Sequence, residues 1–100
     1  MIHHIVMFKL SETPDTRQKE AHKQEIKERL ERLPAEIDVI RSMEVGINVV
    51  AQARAFDVVL VSTFDNLDDL DTYRVHPAHQ EFVKYVGQIR EQTASVDYEI

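Results

Sequence analysis

Residues 2–10 read Ile-His-His-Ile-Val-Met-Phe-Lys-Leu, a segment that is rich in β-branched and aromatic side chains and too short for a typical helix. It therefore predicts a β-strand, whose side chains point alternately to two faces. One face carries Ile2, His4, Val6, Phe8 and Leu10, and the other carries His3, Ile5, Met7 and Lys9. Both faces are apolar in the middle of the strand, whereas a sheet with one face in water alternates cleanly between apolar and polar residues.

A helix is predicted directly after this strand. Thr13 can cap it with Pro14 as its first residue, and we expect it to end near Leu33 because Pro34 disfavours helical geometry in the residue before it. Apolar positions recur at spacings of four, four and three residues, which is typical of a helix that buries one stripe. This stripe consists of His22, Ile26, Leu30 and Leu33.

Three further strands are predicted, over residues 39–50, 56–64 and 95–100. Gly46 lies within the first of them and indicates either a bulge or a close approach of another chain segment. The strand over residues 56–64 is apolar on both faces, like the strand that opens the chain.

A second helix is predicted between the last two strands. Asn66 or Asp65 caps it, and it runs to about Val75 before a kink and a restart with Pro77 near the first helical position. The element order is then β-α-β-β-α-β, which predicts an α+β, ferredoxin-like fold with a four-stranded antiparallel sheet. The first and third strands lie in the middle of such a sheet.

The apolar faces of the central strands predict self-association. Two helices can cover only one face of the sheet, and the chain has no further element for the other face. A second copy packed sheet against sheet in a two-fold homodimer covers that face economically. The alternative is that the strand ends are merely overpacked.

Composition limits the remaining possibilities. The chain has 100 residues, which suit one domain over residues 1–100, and its 12 basic and 18 acidic residues give a net charge of −6. This charge disfavours nucleic acid and anionic membranes as partners. Cysteine is absent, and we find neither a signal peptide nor a membrane-spanning run, so we expect a cytoplasmic protein. Two glycines form no phosphate-binding loop, and we expect no cofactor.

The five histidines are the main candidates for chemistry. His3 and His4 point to opposite faces, and His22 fits a packing role on the first helix. His76 and His79 flank Pro77 and Ala78, so that His76 can cap the restarted helix. The H-x-x-H spacing, with His4 as a third ligand, also permits a metal site. We expect none, because structural zinc usually takes four ligands that often include cysteine.

Two segments together resemble a known family. His4-Ile5-Val6-Met7-Phe8-Lys9-Leu10 opens the chain, and Tyr73-Arg74-Val75-His76-Pro77-Ala78-His79 lies on the second helix, followed by Phe82. With residues 41–46 and 57–64, they resemble the stress-responsive A/B barrel (Dabb) family over essentially the whole chain. The resemblance implies a dimeric α+β barrel of ferredoxin-like subunits.

The resemblance also implies roles for three residues. One plant member of this family closes a linear polyketide by aldol chemistry without a cofactor. By resemblance, His79 matches its acid/base histidine, Tyr73 the tyrosine that holds the substrate oxygen, and His4 a histidine of the pocket. Val58 stands where that cyclase carries a further histidine.

Two functions follow as hypotheses. The first is a stress-associated homodimer with a small apolar ligand pocket in each subunit, lined by His4, Tyr73 and His79. The second is a cofactor-independent, cyclase-like enzyme that uses His79 as general acid/base on a carbonyl compound, with Tyr73 as its partner. A closed pocket with His79 bonded to a backbone carbonyl favours the first. An open cavity on which His79 and Tyr73 converge favours the second.

Overall fold

The predicted element order is confirmed, with the second helix divided at Pro77. The computed structural model describes all 100 residues. Its elements are β1 (Ile2–Leu10), α1 (Thr16–Glu36), β2 (Ser42–Ile47), β3 (Val58–Phe64), α2 (Leu67–Val75), α3 (Pro77–Gly87) and β4 (Arg90–Glu99). No helix combines the length and apolar character that crossing a bilayer requires.

The four strands form one antiparallel sheet in the order β2-β3-β1-β4. Val6 lies opposite Leu60 of β3, and His4 lies opposite Asp97 of β4. The predicted ferredoxin-like fold, with the first and third strands in the centre, is therefore confirmed. The register across β1 and β4 is uniform except for an irregularity between Lys9 and Leu10.

The helices cover one face of the sheet. Alternate residues of β1 and β3 are buried beneath them, in agreement with the predicted alternation. From α1, the predicted stripe contributes Ile26, Leu30 and Leu33, whereas His22 is only half-buried. The core contains sixteen buried apolar residues: Ile2, Phe8, Leu10, Ile26, Leu30, Leu33, Ile37, Ile40, Val45, Val58, Leu60, Phe64, Leu70, Tyr73, Phe82 and Val86.

No helix or further strand covers the opposite face of the sheet. The apolar side chains of Ile5, Met7, Val59, Val61 and Val96 lie on it, because each alternates with a neighbour that faces the helices. Met7 is 39% exposed and Val96 52% exposed. A single chain therefore leaves this apolar surface in contact with solvent.

Both predicted ends of α1 are wrong. Asp15 caps the helix by accepting a hydrogen bond from the Arg17 backbone N–H, while the Thr13 hydroxyl donates to the Asp15 carbonyl. The helix also continues through Pro34 to Glu36. A proline in the last turn removes only one helical hydrogen bond, and the buried Leu33 and Ile37 on either side anchor this turn in the core.

Three strands also have boundaries that differ from the prediction. The second strand is shorter than residues 39–50, because its pairing with β3 ends at Ile47 opposite Val58. The third strand consequently begins at Val58 rather than at residue 56. The last strand begins at Arg90 rather than at residue 95, because it pairs along the whole length of β1. Gly46 marks a close approach rather than a bulge: a Cβ atom there would lie 3.2 Å from Val59 Cγ1.

Candidate functional site

A cavity of about 330 Å³ lies between helices α2 and α3 and the helix-facing side of β1 and β4. Its apolar lining consists of Val6, Phe8, Leu60, Phe82, Val83 and Val86. The three residues that the sequence nominated, His4, Tyr73 and His79, all line it as well. A larger cleft of about 470 Å³, beside the loop over residues 48–57, contains none of these three.

His4 is held in the cavity wall by Asp97. The two residues are direct neighbours in the antiparallel register of β1 and β4, so both side chains point to the helix side of the sheet. The Asp97 carboxylate Oδ1 pairs with His4 Nδ1 through a short contact. This contact leaves Nε2 of the buried His4 ring for another partner.

Arg74 joins the two histidines of the cavity. Its guanidinium Nη2 donates to the second carboxylate oxygen of Asp97 at 3.2 Å. Its backbone carbonyl accepts a hydrogen bond from His79 Nδ1 at 3.0 Å. A single residue therefore contacts His79 directly and His4 through Asp97.

The break between α2 and α3 makes the Arg74 carbonyl available. In an uninterrupted helix this oxygen accepts from the backbone N–H four residues later, which belongs to Ala78. Here the Ala78 N–H instead donates to His76 Nδ1 at 3.0 Å, so His76 caps α3 and Pro77 is its first residue. The freed Arg74 oxygen binds His79 Nδ1 and the Gln80 side-chain amide.

The hydrogen bond to Arg74 defines the proton position on His79. A carbonyl oxygen can only accept, so Nδ1 carries the proton and Nε2 of the neutral ring is a free acceptor. Burial is the main effect on the pKa of His79 and lowers it. The hydrogen bond to Arg74 raises this pKa, whereas electrostatic interactions with His4 and Arg74 lower it further. A neutral imidazole with a free nitrogen is the form that can act as a base.

Tyr73 packs against both histidines. Its ring centroid lies 4.3 Å from that of His79 and 6.0 Å from that of His4. Only 1% of the residue is exposed, and burial alone raises the pKa of its hydroxyl, with no hydrogen bond contributing. No hydrogen bond within the chain involves the Tyr73 hydroxyl. The oxygen is not fully enclosed, because Arg29 Nε is the only fully buried side-chain polar atom without a partner.

The remaining histidines lie outside this constellation. His76 acts as a helix cap, and His3 stacks on Tyr98, its cross-strand neighbour. No group of three or more His, Asp or Glu side chains is placed to hold a metal ion. Val58, where the plant cyclase carries a histidine, is a buried core residue.

Sequence reasoning missed Asp97 and Arg74. Asp97 lies in a polar–apolar alternating segment, and it contacts His4 only because β1 and β4 pair end to end. The sequence could have indicated Asp97 only if β1 and β4 had been aligned as antiparallel neighbours, which places Asp97 opposite His4. For Arg74, the kink at Pro77 indicated a freed carbonyl, but nothing in the sequence indicated its contact with Asp97.

The family model described as stress responsive A/B barrel domain matches residues 2–100. No curated protein matches the chain significantly in sequence. Among solved structures, a dimeric protein of unknown function with a ferredoxin-like fold from Bacteroides fragilis is 40% identical. The match covers 99% of this chain and 95% of that chain, with a TM-score of 0.89.

Two further structures are similar in fold. A dimeric ferredoxin-like protein of unknown function from Thermobifida fusca is 23% identical, with coverages of 99% and 90% and a TM-score of 0.82. A hydroxynitrile lyase from Passiflora edulis is 19% identical, with coverages of 99% and 92% and a TM-score of 0.81. At these identities the likeness extends to the fold alone.

Proposed function

The chain belongs to the stress responsive A/B barrel domain family, and on that premise we propose that it is a homodimer with one small-ligand cavity in each subunit. The dimer forms through the uncovered face of the sheet, where Met7 and Val96 are exposed. Burial of this apolar face by a second copy removes it from water. The Bacteroides fragilis relative, 40% identical, is described as dimeric, which supports self-association.

The ligand occupies the cavity lined by His4, Tyr73 and His79. The single observation that carries this proposal is the hydroxyl of Tyr73, a residue of the cavity wall, which forms no hydrogen bond within the chain. A ligand oxygen that accepts from this hydroxyl adds a hydrogen bond, whose net contribution is about 0.5–1.5 kcal/mol. The surrounding apolar side chains favour a small apolar carbonyl compound.

The partners and compartment follow from composition. The net charge of −6 makes nucleic acid and anionic membranes poor partners. A chain without cysteine is compatible with a reducing compartment, and we place the protein in the cytoplasm.

The first experiment measures ligand binding by thermal shift with 2-octanone, an apolar ketone. We expect the ketone to raise the melting temperature of the wild type. Tyr73→Phe, which removes only the hydroxyl, and His79→Ala abolish this shift, whereas His22→Ala, a half-buried histidine outside the cavity, retains it. An unchanged shift in Tyr73→Phe and His79→Ala contradicts the proposal.

The second candidate function is cofactor-independent acid/base catalysis in the same cavity. The free Nε2 of His79 favours it, since Nδ1 is occupied by the Arg74 carbonyl. In this mechanism Nε2 removes a proton from the carbon next to the ligand carbonyl, and the Tyr73 hydroxyl donates a hydrogen bond to the enolate oxygen. Nε2 then returns the proton either to the same carbon, which regenerates the ketone, or to the alkoxide that forms when the enolate carbon attacks a second carbonyl of the ligand.

The geometry of His79 meets part of the criterion for ligand binding without turnover and part of the criterion for catalysis. His79 bonds to a backbone carbonyl, as expected for binding without turnover, yet it also lines a cavity with Tyr73. Deuterium exchange at the α-carbon of 2-octanone in D₂O distinguishes them. Exchange that is faster with wild type than with His79→Ala supports catalysis. Binding without enhanced exchange rejects it and leaves the binding function.

A further inference from the structure

One wall of the cavity is formed by polar, exposed residues of β4. The side chains that β4 turns toward the helices at this cavity are Arg90, Thr93, Ser95 and Asp97. The opposite wall comes from α3, which contributes the apolar side chains of Phe82, Val83 and Val86 beside His79. A cavity with one polar and one apolar wall suits an elongated ligand that is itself amphipathic.

The two ends of this polar row differ in charge balance. At the Asp97 end, Arg74 pairs with the carboxylate and also contacts Asp71, and His4 Nδ1 contacts the other carboxylate oxygen of Asp97. At the other end, Arg90 lies opposite Leu10, the last residue of β1, and forms no ion pair with any carboxylate of the chain. Arg90, which is itself exposed, is therefore a cation without an ion pair at the edge of a largely apolar cavity, in a chain whose net charge is −6.

Resting on the proposed function, we infer that the cavity selects ligands that carry a carboxylate, which Arg90 binds at the end remote from Tyr73. A guanidinium presents a planar pair of N–H donors that matches a carboxylate, and such charge-assisted pairs are the strongest hydrogen bonds in proteins. The carbonyl of the same ligand lies at the Tyr73–His79 end. The substrate class is an apolar oxo acid, with its two polar groups at opposite ends.

The test compares 8-oxononanoate with 8-oxononanamide, which share the ketone and the chain but differ in charge. Calorimetric titration of the wild type is expected to give at least tenfold tighter binding for the acid. Arg90→Gln weakens binding of the acid about tenfold and leaves the amide unchanged. Arg54→Gln is the matched control, because Arg54 also lacks an ion pair but lies in the loop over residues 48–57.

The outcomes separate this inference from the function on which it rests. Equal affinity for acid and amide, or acid binding that Arg90→Gln leaves unchanged, overturns the selection of carboxylates while the cavity remains a ligand site. If Tyr73→Phe abolishes binding of the amide and Arg90→Gln leaves it unchanged, the result supports a carbonyl site at Tyr73 and a separate carboxylate site at Arg90. Failure of both compounds to bind the wild type overturns the inference and the ligand function together.

Discussion

Asp97 is the residue on which the arrangement of the cavity wall depends, because it contacts both His4 and Arg74. Asp97→Asn removes the charge and leaves the buried His4 ring with a weakened partner. We expect the free energy of unfolding to fall by about 1–2 kcal/mol in urea titrations.

Asp71→Asn is the matched control for this change. Asp71 contacts Arg74 from an exposed position, and loss of such a surface pair costs less than about 0.5 kcal/mol. Equal effects of the two substitutions contradict the role assigned to Asp97.

His79 makes stability depend on pH. Burial lowers its pKa in the folded protein below the ordinary value of 6.5, so the unfolded chain binds a proton more readily. The contribution of neutral His79 to the free energy of unfolding is therefore present above about pH 6.5. It is lost as the pH falls from there through the pKa of His79 in the folded protein.

Two measurements check this dependence. An NMR titration of the His79 ring is expected to give a midpoint below pH 6.5. In urea titrations, the free energy of unfolding of His79→Asn is expected to fall less between pH 8 and pH 5 than that of the wild type. A midpoint above 6.5 rejects the burial argument, since the hydrogen bond to the Arg74 carbonyl then outweighs desolvation.

At the scale of single residues, the sequence nominated three residues that line the cavity but not their partners. His4, Tyr73 and His79 were found through a family resemblance. Asp97 and Arg74 were not, because their contacts depend on the register between the two ends of the chain and on the position of α2 above β4. Such contacts have no local signal in the sequence.

The kink between α2 and α3 is the secondary-structure feature that positions His79. His76→Ala removes the acceptor of the Ala78 N–H, and loss of a helix cap costs about 1 kcal/mol. We expect urea titrations to show this loss and the NMR signals of the His79 ring to shift. Unchanged stability and unchanged His79 signals contradict the proposed role of the kink.

Secondary structure was predictable where local chemistry decides it. The bounds of β1 and the restart at Pro77 were correct, since alternation and proline act locally. The start of β4 was missed because Arg90–Thr93 is polar and is a strand only through its pairing with β1. The end of α1 was missed because burial of Leu33 and Ile37 outweighs the local effect of Pro34.

For the whole molecule, the proposal predicts that a charge on the uncovered sheet face separates the subunits. Val96→Lys places an ammonium group at a position that is 52% exposed in one chain and that the proposed dimer would bury. We expect a folded monomer by light scattering and circular dichroism, because burial of an unpaired charge is costly.

Val75→Lys is the control for this substitution, since Val75 is 72% exposed but lies at the end of α2, on the helix side. It is expected to leave the dimer intact. Dissociation caused by both variants, or by neither, contradicts the assignment of the interface to the sheet face.

The most direct test of the dimer is the molar mass of the wild-type protein at micromolar concentration, measured by light scattering during size-exclusion chromatography. The apolar face opposite the helices predicts twice the chain mass of 11.6 kDa. A mass of 11.6 kDa would show that this face remains in water and would remove the basis for the proposed assembly.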